Sequence, residues 1–422
     1  MGVALIAAAA LAGSSAHAAI GAPGAVQRAI STWSAANPGT SALVWRLDAT
    51  GPPVMVGGFE PDTPRIPAST MKLVTSTGAL LQFGPAFRFS TRLLAADDAT
   101  VSGKTLTGRI YLHGAGDPVL ATRSYAGRFL AGRATPLTDL ARPVRAQGIR
   151  LIRGPVIADE HLFDAKRLGP GWPSYYRAYA SPLSALVTNQ NFSGNGRAAY
   201  VSNPPIAAAQ RLKAALKGVG VVQVGGLTVG VTPTTARPIG TATSPPLPVI
   251  LRAMNLESDN FIAETLAKDV GAYGAGRGTT PAGVARTRAL LLDRGILGPD
   301  DRLVDGSGLS RKNRVAAASL VRLIADADGD GIWGSALIGS LAQGGQGTLI
   351  HRFLTGPATR RVRAKTGYLN GVSAMAGRVV SRGGVHYAFA LIMNSDDILG
   401  ARATQDRVVT LLAAGGEDPK PG

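Results

Sequence analysis

From about residue 89 to residue 232 the chain changes texture. Short apolar runs of β type (109–112, 151–158 and 219–231) alternate there with turn residues, whereas on either side apolar residues recur at helical spacing. Helices are expected at 25–33, from Ser69 to the stop at Gly84-Pro85, and at 249–270, 281–294, 316–325 and 402–414. Strands are expected at 41–48, with 53–59 returning as its hairpin partner, and late in the chain at 362–367, 373–380 and 385–393. Helices and antiparallel strands within one unit imply a layered α+β domain, and the middle third is expected to be a β-rich insertion into it. The expected boundaries are a first part at 19–91, the insertion at 92–233 and a second part at 234–422.

The first residues point to a compartment. Residues 3–11 are a run of small apolar side chains, and Ala16-His17-Ala18 follows as an A-x-A site. This is the pattern of a secretory leader at 1–18, cut after Ala18, and the run is too short to span a bilayer. The usual basic residues ahead of such a run are missing, since the first Lys or Arg is Arg28, so Met1 is expected to fall inside the leader. The mature protein is expected to be exported to a periplasm or cell-wall space, with no transmembrane segment after leader removal. There are no cysteines, which removes a disulfide framework and a thiol nucleophile and leaves serine and threonine.

Three short motifs carry chemistry. Ser69-Thr70-Met71-Lys72 opens a helix, and a spacing of three places the hydroxyl and the amine on one face. That supplies a nucleophile and a base one turn apart, with the serine at the positive end of the helix. Alone the pattern is weak, because an ordinary helix can carry a serine and a lysine at that spacing. Ser258-Asp259-Asn260 then falls between helical stretches, and Lys365-Thr366-Gly367 on a late strand. Each has a bland reading, as a capping turn and as a solvent-facing strand end. All three in this order form the set of penicillin-binding proteins and class A β-lactamases.

With Gly116-Asp117-Pro118, Gly171-Trp172, residues 181–186, 255–260, 305–311 and 365–377, the chain resembles the serine D-alanyl-D-alanine carboxypeptidases/endopeptidases among the low-molecular-mass penicillin-binding proteins. The likeness is to the subgroup with a large insertion, because Ser69 and Ser258 are 189 residues apart (258 − 69). The resemblance implies a serine β-lactamase/transpeptidase-like domain: an antiparallel sheet flanked by helices, a helical subdomain and the inserted β-rich domain. It implies that Ser69 attacks the bond between two terminal D-alanines of a peptidoglycan stem peptide and that Lys72 takes its proton. Lys72 must then be neutral near pH 7, which burial and a second cation, Lys365, would favour. Ser258 would relay a proton to the leaving amine, while Asn260 holds the substrate amide and orients Lys72. Thr366 would bind the terminal carboxylate, Lys365 would supply positive potential, and Gly367 would let the substrate backbone approach. The backbone N–H groups of Ser69 and Tyr368 would form an oxyanion hole, contributing about 3–4 kcal/mol per donor. Tyr368 stands where Ser or Thr is expected, so the pocket wall should differ. Asp159 matches an acid of the insertion that approaches the free amine of the stem's diamino acid; the bland reading is a strand-end turn aspartate.

Other classes fit poorly. There is no G-x-S-x-G elbow and no H-E-x-x-H, so an α/β-hydrolase and a zincin are disfavoured. Residues 326–331 imitate the start of a calcium loop, but position twelve is Leu337 where a glutamate belongs, so a helix-terminating turn is expected. No metal or cofactor is expected. The net charge of +18 comes from dispersed arginines with few interleaved aromatics, which argues against a nucleic-acid partner and for anionic cell-wall polymer. None of the five glutamates sits in an E-x-x-L-N loop, so β-lactams are expected to acylate Ser69 and remain bound. The rival reading is a cell-wall-binding homologue that has lost turnover.

Overall fold

The structure, a computed structural model, describes residues 24–47, 51–194, 196–197 and 199–415. The expected leader at 1–18, Asp48 and the tail from 416 lie outside the described residues. The principal sheet has six strands in the spatial order Ala342–Gln343, Val362–Leu369, Val372–Val380, His386–Met393, Thr40–Leu47 and Val54–Phe59, all antiparallel. The first strands of the chain therefore join the last: Thr40 pairs with Met393 and Leu47 with His386.

Both faces of this sheet are buried, and strand alternation sorts the side chains between them. On His386–Met393, Ala388, Ala390 and Ile392 face the core shared with helices Met71–Phe83 and Ala317–Gly329. Tyr387, Phe389, Leu391 and Met393 face the opposite core, with Ala25–Ala36 and Ile398–Ala414. Alanines on the first face receive helix Ala317–Gly329, and bulky residues on the other fill the core under the terminal helices.

A second sheet has the order Leu227–Val229, Val156–Asp159, Ile110–His113, Ser90–Ala95, Arg237–Thr243; its first three strands are parallel. A third sheet contains Val222–Val224, Leu151–Arg153, Thr105–Thr107 and Thr100–Ser102. The runs 151–158 and 219–231, each expected as one strand, are in fact broken in two, with the halves in different sheets. The breaks fall at Gly154 (φ +155) and Gly225 (φ +141). A Cβ on Gly154 would lie 1.9 Å from the carbonyl oxygen of Gly108, and one on Gly225 would lie 2.3 Å from that of Gly154. The strands therefore change sheet at stacked glycine corners that admit no side chain.

The middle third is also more helical than its texture indicated, with Arg123–Phe129, Thr138–Ala146 and Pro204–Gly218. The last carried a readable signal: Asn203 caps it through Oδ1 to the Ile206 N–H, and Pro204-Pro205 fill its first positions. Helix 249–270 of the sequence reading is likewise two helices, Leu247–Glu257 and Asn260–Ala275, and the break carries the second motif. Residues 326–329 form the last turn of Ala317–Gly329, and Asp330 closes the turn with its carboxylate on the N–H groups of Ile332 and Trp333. No helix among the described residues is long and apolar enough to cross a membrane.

The glycine corner yields a direct test. Gly154→Val forces both a clash with Gly108 and an unfavourable φ, so it should lower unfolding free energy by about 2–4 kcal/mol in chemical denaturation. An unchanged midpoint would show that the corner tolerates a side chain.

Candidate active site

Ser69 sits in a single 3-10 turn, Ala68–Thr70, that runs directly into helix Met71–Phe83. Both the N–H and the Oγ1 of Thr70 donate to the carbonyl of Pro67, at 3.3 and 2.6 Å, which fixes the turn. Ala68 is held at φ +47, a costly conformation for a residue with a side chain, and the cost is met at the position next to the nucleophile.

Lys72 has no exposed surface. Its Nζ lies 3.0 Å from Ser69 Oγ, 2.7 Å from Asn260 Oδ1 and 2.7 Å from the Ser307 carbonyl. A neutral amine has two N–H bonds and one lone pair. With the two carbonyl oxygens taking the N–H groups, the lone pair faces Ser69 Oγ, which is the orientation a base needs. Burial lowers the amine to about 8 against the opposing pull of Asp305, Glu264 and Asp259. Lys365, the second cation, lies near enough for the two amines to repel each other. Lys365 is itself fully buried, is lowered well below the ordinary lysine range by burial and then by Lys72, and donates to the Thr366 carbonyl at 2.8 Å.

The second motif works through its break. Ser258 ends helix Leu247–Glu257 in the left-handed region (φ +56), and Asp259 caps the next helix by accepting from the Ile262 N–H at 3.0 Å. A cap of this kind contributes about 1 kcal/mol. The sharp corner turns Ser258 into the cavities beside Ser69 and brings Asn260 onto Lys72. The Asn260 amide also donates to the Tyr179 carbonyl at 2.9 Å, tying the site to a loop of the middle third.

The third motif borders the nucleophile. The short edge strand pairs with Val362–Leu369 only at Arg363 and Ala364, and beyond them this edge packs on the Ser69 turn. A Cβ on Gly367 would stand 2.8 Å from the Pro67 carbonyl oxygen and 3.0 Å from Ser69 N. The glycine is thus required first by the nucleophile's own turn, a closer neighbour than the substrate backbone the sequence reading had in mind. Thr366, Gly367 and Tyr368 line a cavity of about 480 Å³ with Ser69, His351 and Arg402. A second cavity, about 340 Å³, lies on the other side and is walled by Tyr175, Tyr176, Tyr179, Asn260 and Arg311. The half-exposed Tyr368 ring borders both, with the Arg402 guanidinium 5.5 Å above it.

Two acids outside the three motifs, Glu264 and Asp305, stand behind Lys72. Glu264 lies fully buried behind Lys72, accepts from the N–H groups of Gly306 and Ser307 at 3.0 and 2.7 Å, and is pushed up to about 8 by burial and then by Asp305. Asp305 accepts from Trp172 Nε1 (2.8 Å), the N–H groups of Gly308 (2.9 Å) and Ser310 (2.6 Å), and Asn313 Nδ2 (2.8 Å). Together they hold the Ser307 carbonyl on Lys72. An acid four residues after Asn260 was the only available signal for Glu264, and nothing in its neighbours marked it as buried. Asp159 is not brought to the site. It is fully buried, both oxygens are occupied by His113, His161 and the Thr232 N–H, and it lines neither cavity, so it has no open face for a substrate amine.

A serine one turn from a buried lysine, at the edge of an antiparallel sheet with helices on both faces, defines the serine β-lactamase/transpeptidase-like class. Residues 58–195 and 191–414 match the model of the D-Ala-D-Ala carboxypeptidase 3 (S13) family. The chain is 32% identical to carboxypeptidase DacB of Mycolicibacterium smegmatis, over 83% of this chain and 76% of that protein. It is 28% identical to a D-alanyl-D-alanine carboxypeptidase of Actinomadura sp. (strain R39), over 84% of this chain and 78% of that one. In fold it resembles penicillin binding protein 4 of Haemophilus influenzae, with a TM-score of 0.73 at 23% identity over 91% of this chain and 98% of that one. The chain belongs to the D-Ala-D-Ala carboxypeptidase 3 (S13) family.

If neutral Lys72 is the base, acylation by benzylpenicillin should speed up as pH rises and level off, with an apparent pKa of about 8. A rate independent of pH from about 6 to 9 would remove Lys72 from that role. Glu264→Gln keeps an acceptor for the two N–H groups and removes the charge that raises Lys72 wherever Glu264 is ionised, which is mainly above pH about 8. The midpoint of the pH profile should therefore move to lower pH; a midpoint that rises contradicts the placement.

Proposed function

We propose that this chain is a serine-type D-Ala-D-Ala carboxypeptidase acting on peptidoglycan stem peptides through an acyl-enzyme on Ser69. The observation that carries the reading is the buried Lys72 amine 3.0 Å from Ser69 Oγ, with its two N–H directions taken by Asn260 and Ser307. Ser69 Oγ attacks the carbonyl carbon of the penultimate D-alanine as its proton passes to Lys72. The oxyanion so formed is held by the N–H groups of Ser69 and Tyr368, a role supported by the close packing of Gly367 on the Ser69 turn. The C–N bond breaks, and the proton returns through Ser258 to the departing D-alanine amine. Thr366 holds the terminal carboxylate, next to the potential of Lys365. Water then attacks the ester and restores Ser69.

A β-lactam follows the same first step, but its leaving amine stays attached and blocks water. Glu264 does not supply the missing hydrolytic base, because it is buried behind Lys72 and lines neither cavity. Cleavage of cross-links between stems is a second reading, favoured by the cavity of about 480 Å³ beside Thr366, which exceeds what a single D-alanine fills. The intact set Ser69, Lys72, Ser258, Asn260 and Lys365 speaks against a homologue that only binds. We place the enzyme outside the cytoplasm on the leader pattern at 1–18, and assign 92–233 as the inserted module that supplies the tyrosine wall.

Intact-protein mass spectrometry after incubation with benzylpenicillin should show one stable adduct on the wild type and none on Ser69→Ala. Defined muropeptides should then lose a terminal D-alanine, and dimeric ones should separate if the larger cavity takes a cross-linked donor. Absence of an adduct with penicillin left intact would remove the enzymatic reading. Absence of an adduct with penicillin consumed would overturn slow deacylation.

A further inference from the structure

At one end of the second sheet, outside the lining of the two cavities described above, three metal-ligating side chains converge. Ile110–His113 and Val156–Asp159 run parallel, so their last residues end on the same side, with Asp159 paired to His113. The chain then turns and presents His161 two residues later. Asp159 Oδ2 lies 3.0 Å from His113 Nδ1, and its Oδ1 closely approaches His161 Nδ1. The two rings flank the carboxylate, with centroids 5.9 Å apart and planes tilted by 52°. One ligand atom from each of the three residues lies within 4.8 Å of the others.

We propose that His113, Asp159 and His161 form a binding site for one divalent transition-metal ion of the zinc type, ligated by the two Nδ1 atoms and the carboxylate, with water completing the shell. The spacing is right for this. Bonds of about 2.0–2.2 Å meeting at roughly 90–110° place two ligand atoms ~3.0–3.4 Å apart, and His113 Nδ1 and Asp159 Oδ2 are 3.0 Å apart. Two imidazoles select zinc, cobalt or nickel over calcium and magnesium, which prefer all-oxygen shells. The Asp159 carboxylate faces both imidazole rings. Its outer lone pairs are fixed by the N–H groups of Thr232 at 2.8 Å and His161 at 3.1 Å, the kind of second support that metal ligands need. His161 is half exposed and His113 partly so, which leaves a path for the ion and an open side for water.

The site would also have a mechanical role. His161 opens the segment that leads to Trp172 on Asp305 and to Tyr179 on Asn260. An ion here pins the root of that segment to the sheet.

The test uses the full chain freed of metal by chelation and titrated with zinc chloride in a calorimeter, then with cobalt chloride followed by visible absorption. One ion per chain should bind, and zinc should raise the thermal midpoint. His161→Ala and His113→Ala should each weaken binding more than about 100-fold, beyond the 10- to 100-fold that loss of an outer partner costs. His386→Ala, whose ring pairs with Asp328 elsewhere, should bind as the wild type does. Penicillin labelling of Ser69 in His161→Ala at the wild-type extent establishes that this variant is folded. The proposal is overturned if the wild type binds no stoichiometric ion, which would leave the cluster a pair of hydrogen bonds onto Asp159. It is equally overturned if zinc binding survives His161→Ala and His113→Ala, or is lost only in His386→Ala.

Discussion

The amine of Lys72, enclosed with no exposed surface, is the constraint around which the site is organised. It must be buried to be neutral near working pH, and a buried amine must have partners for its hydrogens. Those partners come from distant parts of the chain: Asn260 from the start of one helix and Ser307 from a loop. Each partner is held in turn, Asn260 by the corner at Ser258-Asp259 and Ser307 by Glu264 and Asp305. Removing a partner leaves a buried hydrogen unmet, which is how residues behind the nucleophile bear on its reactivity. The acids near the amine pull its proton back, so its affinity for a proton is a balance between burial and negative charge.

The outer architecture was legible in the sequence because it depends on periodicity. Strand alternation at Tyr387, Phe389 and Leu391 against Ala388 and Ala390 places large and small residues on opposite faces, and helices such as Thr280–Asp293 follow their apolar rhythm. The three motifs were legible because their spacing is local. What remained hidden depends on contacts at a distance. Gly154 and Gly225 look like interruptions of a strand, and only the neighbouring carbonyl oxygens show that they are sheet-changing corners. Pro204–Gly218 was hidden by the β texture around it, although Asn203 and two prolines announced its start. Glu264 follows Asn260 by one helical turn, yet its burial depends on the 305–311 segment, which no local pattern ties to it. Asp159 was placed by likeness alone, and its two histidines were passed over because each stands singly in the sequence.

The pairing of Thr40–Leu47 with His386–Met393 has a consequence for timing. A chain emerging from its N-terminus produces the Ser69 turn early, but the strand that carries Lys365 to Tyr368 and the strand that covers the first hairpin come last. Until those arrive, Thr40–Leu47 has an open edge on the side away from Val54–Phe59. Non-local pairing of this kind is slow because the intervening loop must close before any contact rewards it. Acylating chemistry is thus withheld from the growing chain until its closing strands are in place. A ribosomal truncation that drops only the last sixty or so residues, on the order of one small structural module, would leave Ser69 and Lys72 present but without the edge that completes them.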